Sequence, residues 1–154
     1  MIIRITPIAR SGALPLNPML TPFHWNILRS LMNRIIPQDD FPNAWDVGVG
    51  DYLARQFERD LQHQVENYRL GLEALEAESQ AFAGKSFTEL DASTQDALLS
   101  RIETGQVTLS WSVNPTDFFH MMIEHVMEGY YSDPGNGGNR DLIAWQMIGF
   151  ESRQ

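Results

Sequence analysis

The longest periodic stretch of the chain, residues 60–82, reads DLQHQVENYRLGLEALEAESQAF. Its apolar residues recur at spacings of four and three, which places their side chains along one face of an α-helix. The residues on this seam are Leu61, Val65, Tyr68, Leu72, Leu75 and Phe82. Four acidic residues fall mostly off the seam and are expected to face solvent: Glu66, Glu73, Glu76 and Glu78. The stretch predicts a long helix, and Gly84 is a suitable C-cap for it.

Local signals on both sides of this stretch predict further helices. Each combines a capping residue, or a proline in the first turn, with apolar residues at helical spacing. The predicted helices run from Thr21-Pro22 to Pro37, from about residue 46 to 59, from Asp91 to about Glu103, from Asn114-Pro115 through Tyr130, and from about 141 to 147. Residues 104–114 are rich in Thr, Ser and Val and predict a short hairpin or an extended loop. The fold class is therefore all-α: a compact helical bundle of about five to six helices.

The chain divides into an extended N-terminal arm, residues 1–20, and a single helical domain, residues 21–154. Pro7, Pro15 and Pro18 interrupt the arm, which is either a frayed tail or a segment that binds along another surface at a low entropy cost. Arg4 and Arg10 are separated rather than paired, so a secretory signal is not expected. The localisation that follows is cytoplasmic.

Composition excludes several classes of function. The net charge is −9, and Lys85 is the only lysine. An acidic chain of this kind lacks the basic stripe that nucleic acids and anionic membrane surfaces require. Cysteine is absent, so disulfides and thiol catalysis are excluded. No apolar run approaches the length of a membrane span.

The segment 128–150, EGYYSDPGNGGNRDLIAWQMIGF, ends this helical pattern with a run rich in glycine and aromatic residues. Glycine permits positive φ and close backbone approach, while Tyr, Trp and Arg are frequent anchors of protein interfaces. One interpretation is a helix cap followed by a turn. The other is a contact surface that presents Tyr130, Tyr131, Asn139, Arg140 and Trp145 to a partner.

Candidates for chemistry by this chain alone are few. Asp117, His120 and Glu124 share a helix face, and a carboxylate-x-x-His unit occurs in di-iron bundles, but the further ligands are missing from the sequence. No serine has a neighbouring base. Four methionines near aromatic residues are expected to fill the core: Met121, Met122, Met127 and Met147. No catalytic, cofactor-binding or metal-binding residue is predicted.

The order of these segments resembles the gluconate 2-dehydrogenase subunit 3 family. The resemblance covers about Leu20 to Phe150 and includes LTPFHWNILRSLMNRIIPQDD, YRLGLEAL and GKSFTELDASTQDALL. Its most specific part is the pattern G-[FY]-Y-S-D-P…G-G-N-R…W…I-G-F. This pattern is present at Gly129, Tyr130, Tyr131, Ser132, Asp133, Pro134, Gly137, Gly138, Asn139, Arg140, Trp145, Ile148, Gly149 and Phe150.

The resemblance implies a subunit without redox chemistry of its own. Its expected partner is a large FAD-carrying subunit of the glucose–methanol–choline (GMC) oxidoreductase type that oxidises a sugar, as in gluconate, glucose or glucoside 3-dehydrogenases. It leaves open whether a cytochrome c subunit joins the complex. The small subunit would stabilise the large one and assist its maturation. The residues expected to bind the partner are Tyr130, Tyr131, Ser132, Asp133, Pro134, Gly138, Asn139, Arg140, Trp145 and Phe150.

Two alternatives remain at this stage. The chain could be a free-standing homodimer that pairs through the Leu61–Phe82 seam, or a small metal-binding helical protein that uses Asp117, His120 and Glu124. The compartment also has an alternative, because many members of the resembled family carry a twin-arginine leader. Periplasmic location would follow if the partner carries such a signal or if one has been removed from this chain.

Overall fold

The computed structural model describes residues 20–132 and 134–147, and this part of the chain is all-α, as predicted. Its seven α-helices are α1 (Pro22–Ile35), α2 (Ala44–Val47), α3 (Val49–Gln56), α4 (Val65–Ala83), α5 (Ala92–Glu103), α6 (Pro115–Tyr130) and α7 (Ile143–Met147). No helix in the described ranges is long and apolar enough to cross a membrane. Of the predicted arm, residues 1–20, only Leu20 lies within them, and it is buried.

The helix starts that depend on local chemistry are confirmed. Thr21 caps α1 with Pro22 in the first turn, and the His24 ring accepts a hydrogen bond from the Thr21 backbone N–H, which completes a capping box. Asp91 accepts from Thr94 N–H at the start of α5, and Asn114 accepts from Asp117 N–H at the start of α6. Each side-chain oxygen or nitrogen satisfies one of the backbone groups that a helix end leaves without an intrahelical partner.

The core lies between α1, α4 and α6, and the α4 seam faces it. Val65, Tyr68, Leu72 and Leu75 are buried there, against Trp25 and Leu28 of α1 and Met122 and Val126 of α6. Gly71 lets α4 approach α6 closely, because a Cβ at this position would lie 2.2 Å from the Phe118 ring. The central part of the seam is therefore covered by the chain's own core, which leaves it unavailable for pairing two copies.

The predicted single helix over residues 46–59 is wrong, because Gly48 divides it into α2 and α3. Gly48 has φ 103°, in the left-handed region, and its N–H bonds back to the carbonyls of Ala44 and Trp45. A Cβ at Gly48 would lie 2.3 Å from the carbonyl oxygen of Gly137. The break thus makes room for the C-terminal segment. The long helix predicted over residues 60–82 starts later than predicted: a 3₁₀ turn at Gln62–Gln64 precedes α4, which begins at Val65.

The prediction that Glu78 faces solvent is also wrong. Its side chain is buried on α4, and the residue is 2 % exposed. The carboxylate accepts hydrogen bonds from Thr108 N–H at 2.6 Å, Leu109 N–H at 3.1 Å and the Trp111 indole N–H at 3.1 Å. It therefore fixes residues 104–114, which form an extended loop without strand pairing in the described structure.

Burial alone would raise the pKa of Glu78. The hydrogen bonds from Thr108, Trp111 and Leu109 outweigh this effect and hold the pKa below its ordinary value. The group is therefore ionised at neutral pH, and its charge is neutralised by N–H dipoles rather than by a basic side chain.

Candidate functional site

The glycine-rich C-terminal segment packs against α2, α3 and the end of α6. Tyr130, the last residue of α6, is fully buried, and its hydroxyl donates a hydrogen bond to the Pro42 carbonyl at 3.0 Å. Burial raises the pKa of Tyr130, so the phenol stays protonated and remains a donor. The side chain joins the end of α6 to the loop between α1 and α2.

Asn139 joins the two sides of the turn. It is fully buried and has φ 49°, a left-handed conformation that asparagine tolerates better than most residues. Its amide nitrogen donates to the Ser132 carbonyl at 2.9 Å, and its amide oxygen accepts from Ala144 N–H at 2.8 Å. One side chain thus connects the end of α6 to the first turn of α7.

Two arginines attach this turn to α2 and α3. Arg140 pairs with Asp51 of α3 at 2.7 Å and donates a longer bond of 3.4 Å to the Asp46 carbonyl in α2. Arg55 of α3 donates to the Gly135 carbonyl at 2.8 Å. One arginine donates from the turn to α3 and the other donates from α3 to the turn, so these two parts of the chain stabilise each other.

Gly138 and Gly129 permit close packing around the end of α6. A Cβ at Gly138 would lie 2.0 Å from the carbonyl oxygen of Gly129, within α6. A Cβ at Gly129 would in turn lie 2.7 Å from the Tyr52 ring. Both positions therefore exclude larger residues for packing reasons, without reference to any partner.

The ten residues predicted to bind a partner fall into three groups. Tyr130, Gly138 and Asn139 are buried within this chain, whereas five others are partly exposed: Tyr131, Ser132, Pro134, Arg140 and Trp145. The Trp145 indole donates to the Tyr131 carbonyl at 3.1 Å. Asp133 and Phe150 lie outside the described residues. The geometry accounts for the segment as a cap and turn, and contact with a partner stays a prediction.

The residues considered for a metal site do not form one in the described structure. Asp117, His120 and Glu124 are exposed on α6, and His120 lies 3.7 Å from Glu103 on α5. Within the described ranges, no group of three His, Cys, Asp or Glu side chains could hold a metal ion.

One buried pair of titratable groups was not predicted from the sequence. The Tyr68 hydroxyl lies 2.7 Å from Nδ1 of His125, and the two rings stack at 5.8 Å between centroids. Burial lowers the pKa of His125 and raises that of Tyr68. Both groups are therefore neutral at pH 7 and share this one hydrogen bond. Since His125 is 5 % exposed, this pair ties α4 to α6 rather than serving a substrate.

A comparison with protein families matches residues 22–151 to gluconate 2-dehydrogenase subunit 3. The match spans α1 through α7 and includes the whole glycine-rich turn. The chain therefore belongs to the gluconate 2-dehydrogenase subunit 3 family, and the resemblance seen in the sequence is confirmed. No curated protein and no solved structure matches the chain.

Proposed function

We propose that this chain is the non-catalytic small subunit of a bacterial sugar dehydrogenase. It binds a large FAD-carrying subunit of the GMC type, stabilises it and assists its maturation. The flavin and the sugar-oxidising residues belong to that large subunit. The observation that carries the proposal is the family match over residues 22–151, since the family is named for one subunit of a dehydrogenase complex.

The distribution of polar side chains is compatible with this role. Ser132, Asn139 and Arg140 of the C-terminal motif bond to the chain's own backbone and side chains, so they stabilise the small subunit itself. Apolar surface remains outside the core, at Phe23 and Leu109 among others, which are 48 % and 41 % exposed. A subunit that works by association needs a stable fold and apolar surface for its partner.

Co-expression with the large subunit tests the proposal. With an affinity tag on this chain alone, we expect a complex that is yellow from flavin and oxidises a sugar. The large subunit expressed without this chain should yield less soluble, flavin-loaded protein. A large subunit that is equally soluble, flavin-loaded and active alone would contradict the stabilising role.

Variants of Arg140 and Asp51, compared with each other, distinguish an effect on partner binding from an effect on folding. Arg140→Ala and Asp51→Ala break the same ion pair, which is partly exposed and contributes about 1 kcal/mol or less. We expect the two variants of the isolated chain to have similar urea midpoints. If Arg140 also contacts the large subunit, only Arg140→Ala lowers the yield of flavin-loaded complex further. Equal yields from the two variants would remove Arg140 from the interface.

A further inference from the structure

A groove that the described residues (20–132 and 134–147) leave open runs between α1, α5 and α6. Its volume is about 420 Å³. Its apolar lining comes from Ile35, Ile123 and Met127 and from the buried side chains Leu99 and Phe119. Its charged lining comes from Arg34, Asp96 and Glu103. The groove lies between three helices that also pack against one another in the core.

Part of the apolar surface of this groove is exposed, on α6, contrary to the prediction that Met127 fills the core. Met127 is 39 % exposed, and Ile123, one turn earlier on α6, is partly exposed. Residues four apart lie on one helix face, so together they form a short apolar line beside Leu99. A preformed apolar groove between helices is the surface onto which partner proteins lay an amphipathic helix.

The charges around the groove indicate what its occupant carries. The Asp96 carboxylate is held in two hydrogen bonds by Arg34, both 2.9 Å, yet its side chain is 53 % exposed. The Glu103 side chain is 46 % exposed, and its near neighbour His120 is charged only when protonated. Beyond residue 19 the chain has nine Lys and Arg residues against all twenty of its Asp and Glu residues. An occupant with basic side chains beside its apolar ones is therefore favoured.

We propose that the groove docks an amphipathic segment of the large dehydrogenase subunit. Its apolar side chains would cover Met127 and Ile123, and an Arg or Lys beside them would pair with Glu103. This inference rests on the proposed function, because it names the surface through which that subunit binds. It assigns the contact to α5 and α6, on residues that the glycine-rich turn does not include.

Adding bulk and positive charge at Ser100 tests the groove without removing any apolar contact. Ser100 is an exposed groove residue of α5, and Ala97, one turn earlier, is exposed outside the groove. Ser100→Arg and Ala97→Arg therefore add the same side chain to the same helix. The variants are co-expressed and purified with the large subunit. We expect Ser100→Arg to raise the dissociation constant of the complex at least tenfold. Ala97→Arg should bind as the unmodified chain does.

Several outcomes would overturn the proposal, and they are distinguishable. If the unmodified chain captures the large subunit and Ser100→Arg captures it equally well, the groove assignment fails while the proposed function stands. If the unmodified chain captures none, both fail. If light scattering shows that the isolated chain is a dimer that Ser100→Arg dissociates, the occupant is a second copy. Met127→Lys serves as a second variant, with the same expected loss, should Ser100→Arg not fold.

Discussion

Replacing Glu78 with alanine is expected to lower the free energy of unfolding by about 3 kcal/mol. The carboxylate accepts three hydrogen bonds at 2.6 to 3.1 Å from the loop that follows α5. Hydrogen bonds to a charged group contribute about 1.5–3 kcal/mol, and donors that lose their acceptor inside the protein add a further cost. Urea denaturation followed by circular dichroism measures the change.

Glu66 on the same helix is the matched control. It is also a glutamate of α4, but it is exposed and pairs only with Arg69 at the surface. Because exposed ion pairs are screened by solvent and contribute little to stability, Glu66→Ala should leave the urea midpoint nearly unchanged. Similar losses from both variants would mean that Glu78 stabilises the protein no more than a surface glutamate does.

The same carboxylate should make stability depend on pH. Hydrogen bonds to the carboxylate hold its folded-state pKa below the ordinary value of 4.5, which applies in the unfolded chain. A lowered folded pKa contributes stability that is complete above the unfolded pKa and is lost as the pH falls through the folded pKa. The difference in unfolding free energy between the unmodified chain and Glu78→Gln should thus be constant from pH 7 to about 5 and shrink below pH 4. A difference that does not change on acidification would exclude an ionised Glu78.

The sequence predicted the helices whose ends depend on neighbouring residues. Asp91, Asn114 and Gly84 each act within one turn of their own position, so short-range chemistry identifies them. The misassigned glutamate shows the limit of such signals. The donors to Glu78 lie about 30 residues further along the chain. A helical pattern places every carboxylate on the solvent-exposed face. It cannot show that a distant loop will supply hydrogen bonds that allow one of them to be buried.

The candidate site was predictable in its residues but less so in what they contact. The sequence makes Tyr130 and Arg140 interface candidates because tyrosine and arginine are common in interfaces. The structure uses the same side chains within the chain: Tyr130 bonds to Pro42, and Arg140 pairs with Asp51, which is 89 positions earlier. Residue type alone does not separate an internal contact from an external one. Only the tertiary arrangement, in which Gly48 opens a place for the turn, does so.

Replacing Gly138 with alanine is expected to detach the C-terminal turn and to lower the free energy of unfolding by about 2–3 kcal/mol. The added Cβ would lie 2.0 Å from the carbonyl oxygen of Gly129 and 2.9 Å from its carbon. Both are backbone atoms of α6. The clash can therefore be relieved only if the backbone of the turn or of α6 moves, because no side-chain rotation removes it. Overpacking of this kind costs about 1–3 kcal/mol. The movement would also disturb the bonds of Asn139, the next residue.

Limited proteolysis combined with urea denaturation distinguishes local detachment from general unfolding. Gly138→Ala should be cleaved faster within residues 134–147, while α1, α4 and α6 remain protected because their core contacts are unchanged. Gly84→Ala is the control, since a Cβ there meets nothing within 4 Å and only its φ of 71° is unfavourable. That variant should lose about 1 kcal/mol without any new cleavage near the turn. Equal protection of residues 134–147 in both variants would show that the close approach of Gly138 to α6 does not hold the turn in place.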